Sequence, residues 1–107
     1  MKEITSYCET TDNCQLTSVK EGIRKPTENK QIVMNYFHQF DNVYTVVTCS
    51  ATDYITGKKI GSESVKTYND GVYVWTNEEV FLFDKYDLEL NDDFRQHILT
   101  KSVNRSR

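Results

Sequence analysis

The 107-residue chain has little of what enzymes and metalloproteins are commonly built from: four glycines, three cysteines, two histidines, one proline and one tryptophan. So few glycines leave no glycine-rich loop to cradle a phosphate. His38 and His97 have no ligand cluster beside them, and two ligands leave most coordination positions of a zinc ion unfilled, so no metal and no other cofactor is expected. Cys8, Cys14 and Cys49 are odd in number and lack C-x-x-C spacing, which argues against both a disulfide framework and a structural zinc site. Cys8 and Cys14 are far enough apart to close a loop, but a reducing compartment would not preserve that bridge. No apolar run is long enough to span a bilayer, and no signal-peptide core follows Met1-Lys2-Glu3. The expected compartment is therefore the cytoplasm, with no membrane as a partner.

What is present is the composition of a globule. Hydrophobic residues make up 37% of the chain and aromatic residues 12%, at a mean hydropathy of -0.65, too aromatic for disorder and too polar for a membrane protein. A chain of this length buries about two-thirds of its unfolded surface, enough for one modest core. Residues 1–100 are expected to form a single domain. Residues 101–107 carry three positive charges and Val103 as the one apolar side chain, the composition of a flexible basic tail.

The strongest folding signals lie between residues 69 and 98. Asn69-Asp70-Gly71 separates two runs rich in β-branched and aromatic residues, 64–68 and 72–75, and Asp-Gly supplies the positive φ of a tight hairpin turn. Thr76 followed by Glu79 is a capping box, which predicts a helix over about 77–86. Asn91-Asp92-Asp93 repeats the pattern of an N-cap and an acidic first turn, with Phe94, Ile98 and Leu99 along one face of a second short helix. Upstream, Thr27 is placed to cap a helix over about 28–39 after Pro26. Its stripe is Ile32, Val33, Tyr36, Phe37 and Phe40. Asp41-Asn42 turns the chain into a strand over 43–52, in which Cys49 is read as a small core residue, and Thr56-Gly57-Lys58 turns it again. Residues 15–19 are a further candidate strand. The expected fold is α+β, an antiparallel meander of three or four strands with one helix before it and two short helices after it.

Asp70, Gly71, Trp75, Tyr86, Leu90 and Phe94 are also the residues through which the C-terminal third resembles a group of small bacterial proteins. Their usual pattern is close to Asp-Gly-x-Trp-x-Trp-Pro, then a Tyr-bearing helix, then Leu-Pro-x-x-Phe. This chain departs from it at Tyr73 for the first Trp, Thr76 for the first Pro and Asn91 for the second. The group has no established activity. Some of its members look like products encoded near bacterial toxin genes, so the resemblance implies a link to immunity proteins.

For catalysis the sequence offers one constellation, His97 and Asp93 four apart on a helix together with Cys49. An acid–histidine pair at that spacing is an ordinary solvated helix contact, and no nucleophile motif accompanies it, so no catalytic residue is assigned and an enzyme is not expected. His38 is read as exposed near a helix C-terminus. Charge is more informative. Between residues 70 and 93 eight acids stand against Lys85 alone, half of the chain's 16 acids, whereas the whole chain carries only -3. Helix dipoles account for Glu78, Glu79, Asp92 and Asp93. A concentrated negative face repels nucleic acid and speeds association with a basic protein.

Two functional readings remain. The first is a protein–protein interaction module, in concrete form an immunity-type inhibitor whose acidic face covers the basic site of a toxin. Its contact residues would be Glu78, Glu79, Asp84, Asp87 and Glu89, with Tyr73 and Tyr86 as aromatic anchors. The second is a small-molecule-binding or enzymatic domain with a pocket between sheet and helices.

Overall fold

The computed structural model describes residues 2–11, 15–23, 30–40 and 42–105. The readings that rest on Cys14, Pro26, Thr27 and Asp41 lie outside those residues. In chain order the elements are β1 (Lys2–Glu3), α1 (Cys8–Thr11), a single 3-10 turn (Val19–Glu21), α2 (Lys30–Gln39), β2 (Thr45–Asp53), β3 (Lys58–Asn69), β4 (Tyr73–Thr76), α3 (Asn77–Tyr86) and α4 (Asp92–Arg105). The fold is α+β with one four-stranded sheet, ordered β1-β4-β3-β2.

The sheet is mixed, which corrects the purely antiparallel expectation. β2–β3 and β3–β4 are antiparallel, but β1 lies parallel to β4 with Lys2 opposite Tyr73 and Glu3 opposite Val74. Two residues carry no hydrophobic period, so β1 had no signal of its own. It is held by neighbours: the Lys2 N–H donates to Val72 O at 2.9 Å, and the Asn91 N–H donates to Ile4 O at 2.8 Å. Residues 15–19 are not a strand either. Ser18 Oγ accepts from the Lys20 N–H and starts the 3-10 turn, while Glu9 accepts from both Ser18 Oγ and the Val19 N–H. At the other end α4 runs on through Arg105, into the segment read as a tail.

The hairpin between β3 and β4 is where expected, built differently. Only Gly71 has positive φ there, at 93°, so this is no two-residue turn with both central residues left-handed. Side chains hold it instead: Asn69 Oδ1 accepts from the Gly71 N–H at 3.0 Å, and Asp70 Oδ1 accepts from the Val72 and Tyr73 N–H groups at 2.9 and 2.7 Å. Gly71→Val is expected to destabilise the protein by about 1 to 2 kcal/mol, because a β-branched residue at positive φ is strained. A urea midpoint unchanged from wild type would contradict the turn.

Thr76 then starts α3 with the capping box. Its Oγ1 accepts from the Glu79 N–H at 3.3 Å and Glu79 Oε1 accepts from the Thr76 N–H at 3.1 Å. Where β4 ends, Asn77 takes over its pairing role: Oδ1 accepts from the Lys66 N–H and Nδ2 donates to Ser64 O, so a side-chain amide extends the ladder on β3. Asn91 does not cap α4 with its side chain as expected. Its Oδ1 accepts from Ser6 Oγ and its Nδ2 donates to Glu3 O, tying α4 to the N-terminal segment.

The main core gathers on one face of β4. Tyr73 and Trp75, two apart in the strand, meet Val33, Tyr36 and Phe37 of α2, Phe83 of α3, and Phe94 and Ile98 of α4. A smaller cluster joins Tyr7, Val19, Leu82 and Leu88.

Candidate functional site

The acidic stretch does not form the continuous face its composition suggests. Glu78 and Glu79 are buried. Glu78 points at β2, where Oε2 accepts from the Thr52 N–H at 2.8 Å and Oε1 from the Tyr54 hydroxyl at 2.9 Å. Burial and the adjoining carboxylate push the Tyr54 phenol up, which keeps it a donor. Glu79 closes the capping box from inside. Tyr73 is buried as well and donates to Asp93 Oδ2 at 3.0 Å, and half-buried Tyr86 donates to Asp53 Oδ2 at 2.7 Å. Asp87, the left-handed C-cap of α3, pairs with Lys30 Nζ at 2.7 Å. Of the seven expected contact residues, Asp84 and Glu89 are the fully exposed ones. The inward turn has a simple cause: carboxylates at a helix start find backbone and hydroxyl donors there and need no water.

The paired Asp93 and His97 are also rearranged. Asp93 goes to Tyr73, while His97 Nε2 lies 3.0 Å from Asp70 Oδ2 and 3.3 Å from the Tyr36 hydroxyl, which itself donates to Asp70. Asp70 is thus a hub joining α2, the hairpin turn and α4, and its side chain is fully buried. Burial opposes its ionisation, but the bonds from Tyr36, Tyr73, Val72 and His97 outweigh that and hold its carboxyl below the usual range. Both carboxylate oxygens of Asp70 are thus spent on holding elements together. Among the described residues no group of three or more His, Cys, Asp or Glu is arranged to hold a metal ion.

The feature that sequence reasoning missed is the outer edge of the sheet. β2 is the edge strand, and residues 45–50 are exposed on both faces, Cys49 among them, which corrects its reading as a core residue. Val43, Tyr44, Val46 and Val47 are 46%, 64%, 57% and 43% exposed. No charged residue occurs from Val43 to Thr52. The reason is distance: the helices pack on Tyr73 and Trp75 of β4, and β2 lies two strand spacings away, roughly 10 Å. Only the far end of β2 is covered, where α3 packs over Ala51 and Asp53. Edge strands are ordinarily blunted by lysine, proline or a covering element; residues 43–50 contain neither lysine nor proline, and among the described residues nothing covers 45–50. The absence of charge over ten residues was the available signal.

Among the described residues no helix is long and apolar enough to cross a membrane. Comparison with protein-family models, with curated proteins and with solved structures yields no match to this chain.

Proposed function

We propose that this chain is a protein–protein interaction module that takes a partner at the β2 edge, by strand pairing and by contact with Val43, Tyr44, Val46 and Val47. The carrying observation is that uncharged edge with four large apolar side chains in water. Monomeric proteins seldom leave such a patch without a use, and an unpaired edge supplies main-chain hydrogen bonds to an incoming strand. Asp84 and Glu89, the exposed acids of the stretch, add negative charge that steers a basic partner. The immunity-type inhibitor of a bacterial toxin in the cytoplasm is the most concrete form of this reading, supported by the C-terminal resemblance.

Val46→Lys with Val47→Lys tests the edge. Both positions are exposed, so stability should change by no more than about 0.5 kcal/mol per site, while a partner co-purified with the wild type is lost. Retention of that partner at equal affinity sinks the reading, as does a wild-type dimer that the same substitutions dissociate, since the edge would then serve self-association. Asp84→Lys with Glu89→Lys should slow association and weaken its salt dependence without changing the fold.

A further inference from the structure

The two edges of the sheet are guarded unequally. β2 is open, whereas the outer edge of β4 is covered by β1, a strand of two residues. Residues 2–6 run on from that pairing as a strap with few attachments. The Lys2 N–H donates to Val72 O at 2.9 Å, and Ile4 is buried in the main core. Asn91 supplies the rest: its N–H donates to Ile4 O, its Nδ2 donates to Glu3 O at 3.4 Å, and its Oδ1 accepts from Ser6 Oγ at 3.0 Å. Tyr7, next in the chain, belongs to the smaller cluster and donates from its hydroxyl to Glu89 O at 2.7 Å, which makes it a fixed point behind the strap. A Cβ at Gly22 would collide with that ring, so glycine is what lets Tyr7 sit there.

Beneath the strap lies Glu79, 1% exposed. Its Oε1 accepts from the Thr76 N–H at the start of its own helix, and its Oε2 faces Thr5 Oγ1 at 2.5 Å. Thr5 is the one partner of Oε2 among the described residues, so the strap is the wall between that oxygen and water. The groups around it offer no counter-charge. Glu3 of the strap and Glu78 of α3 both oppose its ionisation, the Tyr54 phenol just after β2 is held neutral, and no cation pairs with it among the described residues. A carboxylate formed there is buried and uncompensated, and the segment with the fewest contacts is the one that gives way.

We propose that residues 2–6 are a proton-held strap, which lifts about Tyr7 when Glu79 gives up its proton and bares the outer edge of β4 for strand pairing. The closed strap keeps Glu79 protonated, its carboxyl pushed up to about 8 by burial, while the lifted strap returns it to water and the ordinary carboxylate range. Lifting therefore releases a proton and is favoured as pH rises, until the closed form ionises too. Glu3, raised by its own burial, pushes in the same direction. The device is local and does not depend on a partner at β2.

Backbone amide exchange tests it, with the Asn91 N–H reporting the strap and the Phe83 N–H, inside α3, reporting the whole protein. In the wild type the protection of Asn91 is expected to fall about tenfold per pH unit between pH 5 and 8 and to level off above. It should also be smaller than that of Phe83 and insensitive to about 1 M urea, which promotes global unfolding. In Glu79→Gln most of the fall with pH should vanish. The proposal is overturned if Asn91 exchanges with the protection and urea response of Phe83, since the strap would then open only with the entire fold. It is equally overturned if the wild-type protection of Asn91 does not change with pH, or falls as steeply in Glu79→Gln.

Discussion

Replacing Trp75 by alanine is expected to remove about 3 to 5 kcal/mol of stability, the range for a large aromatic truncated in a core. Trp75 is 1% exposed. Its ring centroid lies 5.3 Å from that of Phe37, 5.9 Å from Phe94 and 6.3 Å from both Tyr36 and Phe40, so one indole touches α2 and α4 while belonging to β4. Tyr36 and Phe37 are fixed on α2, Phe94 is fixed on α4 and Phe40 follows α2 directly, so rings held by separate elements would have to move to fill the vacated volume. With total stability near 5 to 15 kcal/mol for an ordinary domain, the loss is a large fraction of the whole. Urea unfolding followed by far-ultraviolet circular dichroism measures it, and Val46→Ala on the exposed edge is the control expected to lie within about 0.5 kcal/mol of wild type. A loss below about 1 kcal/mol for Trp75→Ala, or native emission as red-shifted as a hydrated indole, would show that this residue is not the centre of the core.

How far the fold could be read from the sequence depended on the range of each signal. The capping box at Thr76 and Glu79 spans four residues, and it forms as read. The stripe of Val33, Tyr36 and Phe37 repeats within one helix, and all three are buried. β1 spans two residues and is defined wholly by what it docks against, so the parallel pairing that makes the sheet mixed left no local trace. The strand at residues 45–53 was legible as a strand, yet its period says nothing about whether another layer covers it. Only the position two strands away from Trp75 decides that.

The site was less legible than the fold for a related reason. Counting acids between residues 70 and 93 treats each as a surface charge, whereas Glu78 reaches the Thr52 N–H and Tyr54 hydroxyl, 26 and 24 residues distant. Asp70 meets Tyr36 and His97 across 34 and 27 residues, contacts that no spacing rule within a helix can suggest. What the sequence did hold was the neutrality of Val43 to Thr52, a run whose meaning depends on which side of the sheet it ends up on.

Glu79→Gln is expected to stabilise the protein at neutral pH and to flatten its stability between pH 5 and 8. Burial pushes the Glu79 carboxyl up to about 8 from an ordinary 4.5, against the opposing bonds from Thr5 and Thr76. The surrounding donors agree with a neutral group. Thr5 Oγ1 lies 2.5 Å from Glu79 Oε2 and 2.7 Å from Thr10 Oγ1, and Thr10 Oγ1 lies 3.3 Å from Tyr7 O. A hydroxyl has one proton to give. If Glu79 is protonated it donates to Thr5, Thr5 to Thr10 and Thr10 to Tyr7 O, and every acceptor in the row is served. If it is ionised, Thr5 must turn its proton to Glu79, and the Thr5–Thr10 contact then keeps a proton only if Thr10 turns away from Tyr7 O. The sign follows: below pH 4.5 both folded and unfolded chains hold the proton, and between 4.5 and 8 only the folded chain does, so stability falls as pH rises through that window. At about 1.4 kcal/mol per pH unit the fall amounts to roughly 3 kcal/mol between pH 4.5 and 7. Asp53 and Asp70, held below their usual range, act in the opposite sense and only toward acid pH, where their contribution is lost as they protonate. Glutamine keeps the capping box, because its carbonyl can accept from the Thr76 N–H while its amide donates to Thr5 as the protonated acid does. Urea unfolding of both proteins from pH 4 to 8 should give curves that share the acid limb and separate steadily above pH 5, with the variant the more stable at pH 7.5. Parallel curves across that range would mean that Glu79 is ionised in the folded protein and that the proton row from Glu79 to Tyr7 runs the other way.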